Sequence, residues 1–516
     1  MKLTTSTAAV CIALLSVCDN TLTFAESHPN IIVIYTDDQG YGDASCLNPE
    51  AKFKTPNLDR LASQGMTFTD AHCSDTVCTP SRYGLLTGRY SWRTTLKRGV
   101  YGAEKECLIA DGRTTLASLL RKQGYTTAMV GKWHLGMDFP GDRLNRDWTK
   151  PVLNMPLDKG FDYFWGIPAS MNYGVLAWFD GRYAKVPPTQ YTRKKPNKIA
   201  ISDYRIAPPY ETQLTQAGTT NDFGVVRGQL EIAPDFVDSE CLTRFTTKAI
   251  EWIEGHAEAA RDGKPFFLYL PYTSPHKPVI PIARFRGKSD AGAYGDFMME
   301  TDWHVGRILE MLDREQLAND TLVIFTSDNG PETTWKERAT RFTHQSNGIY
   351  REGKRSIYEG GHRVPMFIRW PAKVPASSKC DQPVCQTDLL ATIATIIGQK
   401  LADDEGEDSH SFEAALTNPT AALNRVPMIH HSAQGGFAIR DGDWKLVMET
   451  PKSKRQLYDL AKDPREQKDL IRQHPEIATQ LQEKITKIVL NGRSTDGKPQ
   501  SNDTSWWSNL IWMEKF

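Results

Sequence analysis

The sequence predicts an α/β protein built on a doubly wound, mostly parallel sheet. Three observations predict it. Short, continuously apolar runs recur along the chain, as strands buried on both faces require. Amphipathic helical stretches lie between several of them, and that alternation is the pattern of layered α/β folds. Polar residues follow directly after the runs, where open parallel sheets bind their ligands.

In chain order the expected strands are "IIVIY" (31–35), "TTAMV" (126–130), "FFLYL" (266–270), "TLVIFT" (321–326) and "VPMFIR" (364–369), all read as parallel. In "TPNLDRLASQG", Leu58, Leu61 and Ala62 share a helical face and Gly65 is the stop signal. "TTLASLLRKQG" repeats the pattern with Leu116, Leu119 and Leu120 before Gly124, and "YGDFMMETDWHVGRILEMLDR" reads as a long amphipathic helix. Residues 172–235 break the rhythm. They are rich in Tyr, Pro, Gly and polar residues and read as a surface excursion rather than a second core. Within it Tyr173, Trp178, Tyr183, Arg193, Lys194 and Lys195 are candidates for stacking on sugar rings or meeting further anions. Beyond about residue 420, "GGFAIRDGDWKLVME" reads as a β-hairpin turning at Asp441–Gly442, and "PEIATQLQEKITKIVLNG" as a helix. The expected organisation is a main domain over 26–420 and a smaller C-terminal α+β subdomain over 421–516.

The first 25 residues read as an export signal. Lys2 precedes the apolar "AAVCIALLSV", too short to span a bilayer, and "TFA" offers small residues before Glu26. The expected location is therefore exported, periplasmic or secreted. Cys18 raises lipidation, but Val17 is a poor residue before a lipidated cysteine. Removing the signal leaves Cys46, Cys73, Cys78, Cys107, Cys241, Cys380 and Cys385, an odd number, so one stays unpaired. Cys380 and Cys385 are placed to close a small loop, and Cys78 is the candidate odd one out. None has the spacing of a zinc site. Lys+Arg and Asp+Glu are both 62, so net charge makes no case for nucleic acid or an anionic membrane as partner.

The polar residues at the strand ends sort by chemistry. Asp37, Asp38, Asp328 and Asn329 are hard oxygen donors, suited to Ca²⁺ or Mg²⁺. Arg82, Lys132, His134 and His276 are cations or donors, suited to an oxyanion such as phosphate or sulfate. Each pair alone is also a common turn former; four clusters on one predicted edge point to a site.

The segment "CTPSRYGLLTGR" (78–89) carries the C-x-P-S-R-x-x-x-L-T-G-R signature of the type I, formylglycine-dependent sulfatases. "NIIVIYTDDQGYGD", "GYTTAMVGKWHLG", "SPH", "FTSDNG", "REGKRSIYEGGHRVP" and "QLYDLAKDPREQKDL" resemble that family's blocks in order, from about residue 29 to about 475. The resemblance implies an alkaline-phosphatase-like core. It also implies oxidation of Cys78 to formylglycine by a maturation enzyme. The hydrated aldehyde would attack sulfur with one hydroxyl and expel sulfate through the other. By the same resemblance Asp37, Asp38, Asp328, Asn329 and residue 78 hold one Ca²⁺. Arg82 fixes residue 78, Lys132 and Lys354 grip sulfate, His134 takes a proton from the diol, and His276 serves the leaving group. The substrate is a sulfated glycan or a small aryl sulfate, with His344 and Arg341 as possible contacts. Two other classes remain open here: a phosphatase or phosphodiesterase on the same fold, and a non-catalytic glycan-binding relative.

Overall fold

Ile31 to Ile34 are wholly shielded from solvent in the strand Asn30–Asp37 of the computed structural model, which describes residues 28–142, 145–193, 215–216 and 229–515. The predicted signal over residues 1–25, Lys194, Lys195 and the side chain of Arg193 lie outside the described residues. A run that is apolar at every position needs cover on both faces, and the strand is central in a ten-stranded sheet. The sheet order is Ser378–Cys380, Met66–Phe68, Met366–Arg369, Thr321–Ser327, Asn30–Asp37, Phe266–Pro275, Thr126–Lys132, Tyr163–Ile167, Phe179–Asp180 and Tyr183–Ala184. The five central strands, Thr321–Ser327 through Tyr163–Ile167, are mutually parallel. Met366–Arg369 runs antiparallel to Thr321–Ser327, which corrects its reading as parallel.

Helices flank the sheet in two groups. Pro56–Ser63 and Cys241–Glu254 both pack on the long Gly292–Arg314, while Cys78–Thr87 packs on Leu116–Lys122 and Leu389–Ile396. Gly65 lies beyond the cap Gln64 of the first helix; a Cβ there would meet the Ile368 carbonyl at 2.2 Å, so close backbone approach, not helix stopping, requires glycine. The 172–235 segment contributes to the core after all. Trp178 is fully buried, stacks on Trp165 at 5.3 Å and touches Phe236 and Phe245. It is thus removed from the sugar-stacking candidates.

Strands Met428–His431, Phe437–Asp441, Trp444–Val447 and Gln456–Asp459 form an antiparallel sheet in sequence order, covered by the helix Pro475–Leu490. Asp441 pairs with Trp444, so the hairpin loop is Gly442–Asp443, one residue later than expected, with Gly442 at φ +58°. Tyr90 and Trp92, just after the helix Cys78–Thr87, lie in this unit's apolar core with Phe437, Leu446 and Ile485.

The seam between the two sheets is polar and buried. Asp70 accepts from Arg440 Nη1 (2.8 Å) and Nη2 (2.6 Å) and faces His72 Nε2 at 2.6 Å. His72 Nδ1 meets His362 Nδ1 at 2.9 Å, and His430 stacks on His362 at 3.7 Å. Lys445 donates to Glu359 (3.0 Å) and pairs with Glu466 (2.8 Å). All seven cysteines in the described residues are free, so Cys380 and Cys385 form no bridge with each other and Cys73 none with Cys78.

Candidate active site

Asp37 and Asp38, Lys132, His276, and Asp328 and Asn329 emerge from the carboxyl ends of four adjacent parallel strands. Between Tyr35 and Asp37 the pairing slips, with Tyr35 opposite Pro271 and Asp37 opposite Pro275, so the two strands splay where the polar residues begin. Gly131, at φ +139°, lets Thr126–Lys132 pass 2.2 Å (virtual Cβ) from the Pro271 carbonyl; no side chain fits before Lys132.

Cys78 opens the helix Cys78–Thr87, whose ten residues are all buried. Its thiol, Asp37 and Asp328 place ligand atoms within 4.8 Å of one another, and Asp37, Asp38 and His276 do the same. Burial, only partly offset by Lys132 and Lys354, pushes the Cys78 thiol up to about 11. As encoded, it is protonated at neutral pH and a poor nucleophile.

Arg82 lies four residues on, facing the same strand ends. It donates to Asp328 Oδ2 through Nε (3.1 Å) and Nη2 (2.8 Å), and to the Lys132 carbonyl through Nη1 (3.0 Å). Lys132 Nζ donates to Asp37 Oδ2, and Lys354 Nζ donates to Asp38 Oδ1, which also accepts from Asn329 Nδ2 at 2.8 Å. Three carboxylates thus face three cations. Burial works against the Asp37 charge, but Lys132, His276 and Arg82 hold it well below the usual range; burial and the neighbouring Asp37 charge push Asp328 up to about 7. Three oxygens of this set are buried with no hydrogen-bond partner: Asp37 Oδ1, Asp38 Oδ2 and Asn329 Oδ1.

His134, at φ +61°, faces the Tyr101 carbonyl through Nε2 at 2.9 Å, so Nε2 carries the proton and the buried, unpartnered Nδ1 is a free lone pair. Burial, then Lys132 and Arg82, hold its pKa well below that of an ordinary histidine. His276 Nδ1 meets the Lys277 carbonyl at 2.6 Å, leaving Nε2 3.8 Å from Asp38 Oδ2; burial, despite Asp37 and Asp38, lowers it to about 4.

All ten site residues predicted from the sequence therefore converge. The two outlying candidates do not. His344 is buried and braces a loop through Asp43 Oδ1 (2.7 Å), and Arg341 is exposed beside Phe342. Sequence reasoning missed Gln39, whose buried side-chain amide has no partner, and the trio Glu332, Arg355 and Lys277. The trio's signal was adjacency: Lys277 follows His276 and Arg355 follows Lys354.

The fold around this site is that of the alkaline phosphatase superfamily. The chain belongs to the sulfatase family, whose pattern matches residues 29–399; residues 348–491 match the C-terminal region described for N-sulphoglucosamine sulphohydrolase. It is 34% identical to an N-acetylgalactosamine-6-O-sulfatase of Bacteroides thetaiotaomicron, over 89% of this chain and 93% of that one. It is 30% identical to human steryl-sulfatase, over 95% of this chain and 91% of that one. A solved structure of a Bacteroides thetaiotaomicron "6S-sulf" protein, described with the metabolism of multiple glycosaminoglycans, superimposes with TM-score 0.76 at 31% identity, covering 90% of this chain and 99% of that one. The protein is a sulfatase, a hydrolase of sulfate esters.

Proposed function

We propose that the enzyme removes sulfate from a sulfated carbohydrate, with aryl sulfates as simpler substrates, using Cys78 in its formylglycine form and one bound Ca²⁺. The observation that carries this reading is the buried set of three unpartnered oxygens beside Cys78. Unpaired acceptors are costly in the interior, and a hard divalent cation satisfies them. Asp37, Asp38, Asp328 and Asn329 fit as ligands, with the oxygen of modified residue 78 facing the ion. The ion supplies charge neutralisation for sulfate and orientation for residue 78. Oxidation of Cys78 to formylglycine supplies, on hydration, a hydroxyl where the encoded thiol is held protonated.

The remaining chemistry belongs to the chain. Arg82 fixes the strand ends around residue 78 through Asp328 and the Lys132 carbonyl. Lys132 and Lys354 neutralise sulfate oxygens. His134 Nδ1 is placed to accept a proton from residue 78. His276 serves the leaving oxygen, and because its Nδ1–H is committed to the Lys277 carbonyl, donation from Nε2 requires a second proton on the ring.

The carbohydrate substrate class follows the N-acetylgalactosamine-6-O-sulfatase relative. The reading includes a signal over residues 1–25, hence an exported, periplasmic or secreted enzyme, a domain division near residue 420, and a formylglycine-generating maturation enzyme as partner. Among the described residues no helix is long and apolar enough to cross a membrane. The test combines release of sulfate against phosphate from matched esters with mass spectrometry of the Cys78 peptide. Sulfate release that tracks the aldehyde content supports the reading; full activity from protein carrying only cysteine sinks it.

A further inference from the structure

Beside the sulfate-facing residues is a second charged group that the proposed chemistry does not use. Arg355 Nη1 and Nη2 meet Glu332 Oε1 (2.5 Å) and Oε2 (3.0 Å), an end-on bidentate pair. Lys277 Nζ lies 3.3 Å from Glu332 Oε2. Glu332 is buried and further fixed by the amide and hydroxyl of Thr333 (2.8 and 2.9 Å). Two cations share one carboxylate, so the trio carries a net positive charge.

Its place in the fold is at the mouth of the site. Lys354 and Arg355 are consecutive, yet the Lys354 side chain is 3% exposed and that of Arg355 is 38%. Arg355 lies close enough to Asp38 to feel its charge, and Tyr173, whose ring lies 5.5 Å from that of His134, borders the same site. The backbone adds an independent sign. Arg355 sits at φ +75°, a left-handed conformation unfavourable to a long side chain, and Asp38 (+69°) and His134 (+61°) share it around the same centre. Such strain persists where surrounding structure over-determines it, often at ligand clamps. Here the Arg355 amide is tied to the Thr76 carbonyl at 2.9 Å while the side chain is tied to Glu332. The clamp uses the inner Nη hydrogens and leaves Nε–H and the outer Nη hydrogens pointing away from the carboxylate.

We propose that Arg355, held by Glu332 and seconded by Lys277, is a specificity site for a second anionic group on the substrate, a carboxylate or a further sulfate near the scissile ester. This rests on the sulfate-site reading above and names the substrate class: a glycan carrying at least two negative groups. An arginine clamped into a rigid fork suits planar or tetrahedral oxyanions, and a net positive rim favours anion over hydroxyl.

The test is calorimetric titration of the calcium-loaded Cys78→Ser protein, which binds without turnover. Four ligands are compared: a sulfated monosaccharide, the same sugar sulfate linked to a neutral sugar, the same linked to a uronic acid, and the monosaccharide with a second sulfate. Arg355→Gln should weaken the uronate-bearing or the disulfated ligand by roughly tenfold or more relative to the two single-anion ligands, with Kd losing much of its salt dependence. Whichever two-anion ligand shows the loss identifies the group. Equal losses on all four, or equal losses on the neutral and uronate disaccharides with none specific to the second sulfate, overturn the proposal. Lys132→Ala in the same assay weakens every ligand if sulfate binds as read. If Lys132→Ala changes nothing, the sulfate-site reading fails, whatever Arg355→Gln does. Arg355→Lys, with an unchanged melting temperature, guards against misfolding: it keeps the charge and should recover part of the selectivity.

Discussion

Two buried clusters of charged residues hold this molecule together at different points, and they are built on opposite terms. At the carboxyl edge of the main sheet, Asp37, Asp38 and Asn329 each keep an oxygen without a partner. At the seam with the C-terminal sheet, Asp70 and Glu359 spend their oxygens on Arg440, Arg363 and Lys445. Both clusters are buried and both mix acids with bases. The difference is unused acceptor capacity. Carboxylates with open oxygens are prepared for something to arrive, whereas carboxylates whose oxygens are taken fasten two elements, even though both ring nitrogens of the neighbouring His430 stay unpartnered.

The sharpest break of the comparison is Cys78→Ser. The change is nearly isosteric, so the melting temperature should stay put while turnover falls by about 10³-fold or more. A variant that lost stability and activity together would blur the distinction between the clusters. The mirror experiment is Lys445→Met at the seam. It leaves Glu466 without its cation and Glu359 with Arg363 alone, and should cost about 3–5 kcal/mol of stability in denaturant titration, with kcat per folded molecule retained. Loss of kcat in folded Lys445→Met would place the seam within the catalytic unit.

Chelation separates the clusters by ligand. Removing Ca²⁺ should abolish activity and lower the melting temperature, with both restored in proportion to added Ca²⁺ as mass action requires. Lys445→Met protein should show the same Ca²⁺ response from a lower baseline. Acid gives a gentler test. Burial depresses the pKa values of His72, His362 and His430 below the ordinary histidine value, against the pull of Glu359 and Asp70 at His72 and aided by Lys445 at His362 and by the neighbouring histidines at His430. The unfolded chain therefore binds more protons below about pH 6.5. Stability should be fully present above that pH and decline as pH falls, by up to about 4 kcal/mol per pH unit if all three titrate together. His430→Gln should flatten the slope; an unchanged slope would remove the seam histidines as its source.

The smallest expected effect concerns the leaving group. His276→Ala should reduce kcat/KM for a glycan sulfate more than for a nitrophenyl sulfate, by about tenfold in the ratio, since an aryl oxide leaves unaided and a sugar alkoxide does not. Lys132→Ala should reduce both alike. Equal losses for His276→Ala would assign it to sulfate binding.

What the sequence reveals divides along the same line. The strand-end residues are legible because a fully apolar run ends abruptly in acids or bases, and four such endings leave few arrangements. The helix Cys78–Thr87 is not, because it is buried all round and has no polar face to mark its period. The direction of Met366–Arg369 is hidden because an apolar run carries no sign of which way it runs. Trp178 misleads because its partner Trp165 belongs to the strand Tyr163–Ile167, and composition alone cannot announce that pairing. The seam is invisible for a simpler reason: His72 and His362 are 290 residues apart and share no motif.

The burial of Cys78 sets an order of events. Only 2% of the residue reaches solvent, on a helix with no exposed face. A second protein that must grasp "CTPSR" as an extended peptide cannot do so once this helix has docked. Any enzymatic oxidation of Cys78 therefore belongs to the nascent or unfolded chain, and folding closes the window. On the proposed chemistry, folding speed then decides yield: a chain that collapses before it is visited keeps a thiol where that chemistry needs an aldehyde, beyond later rescue without unfolding.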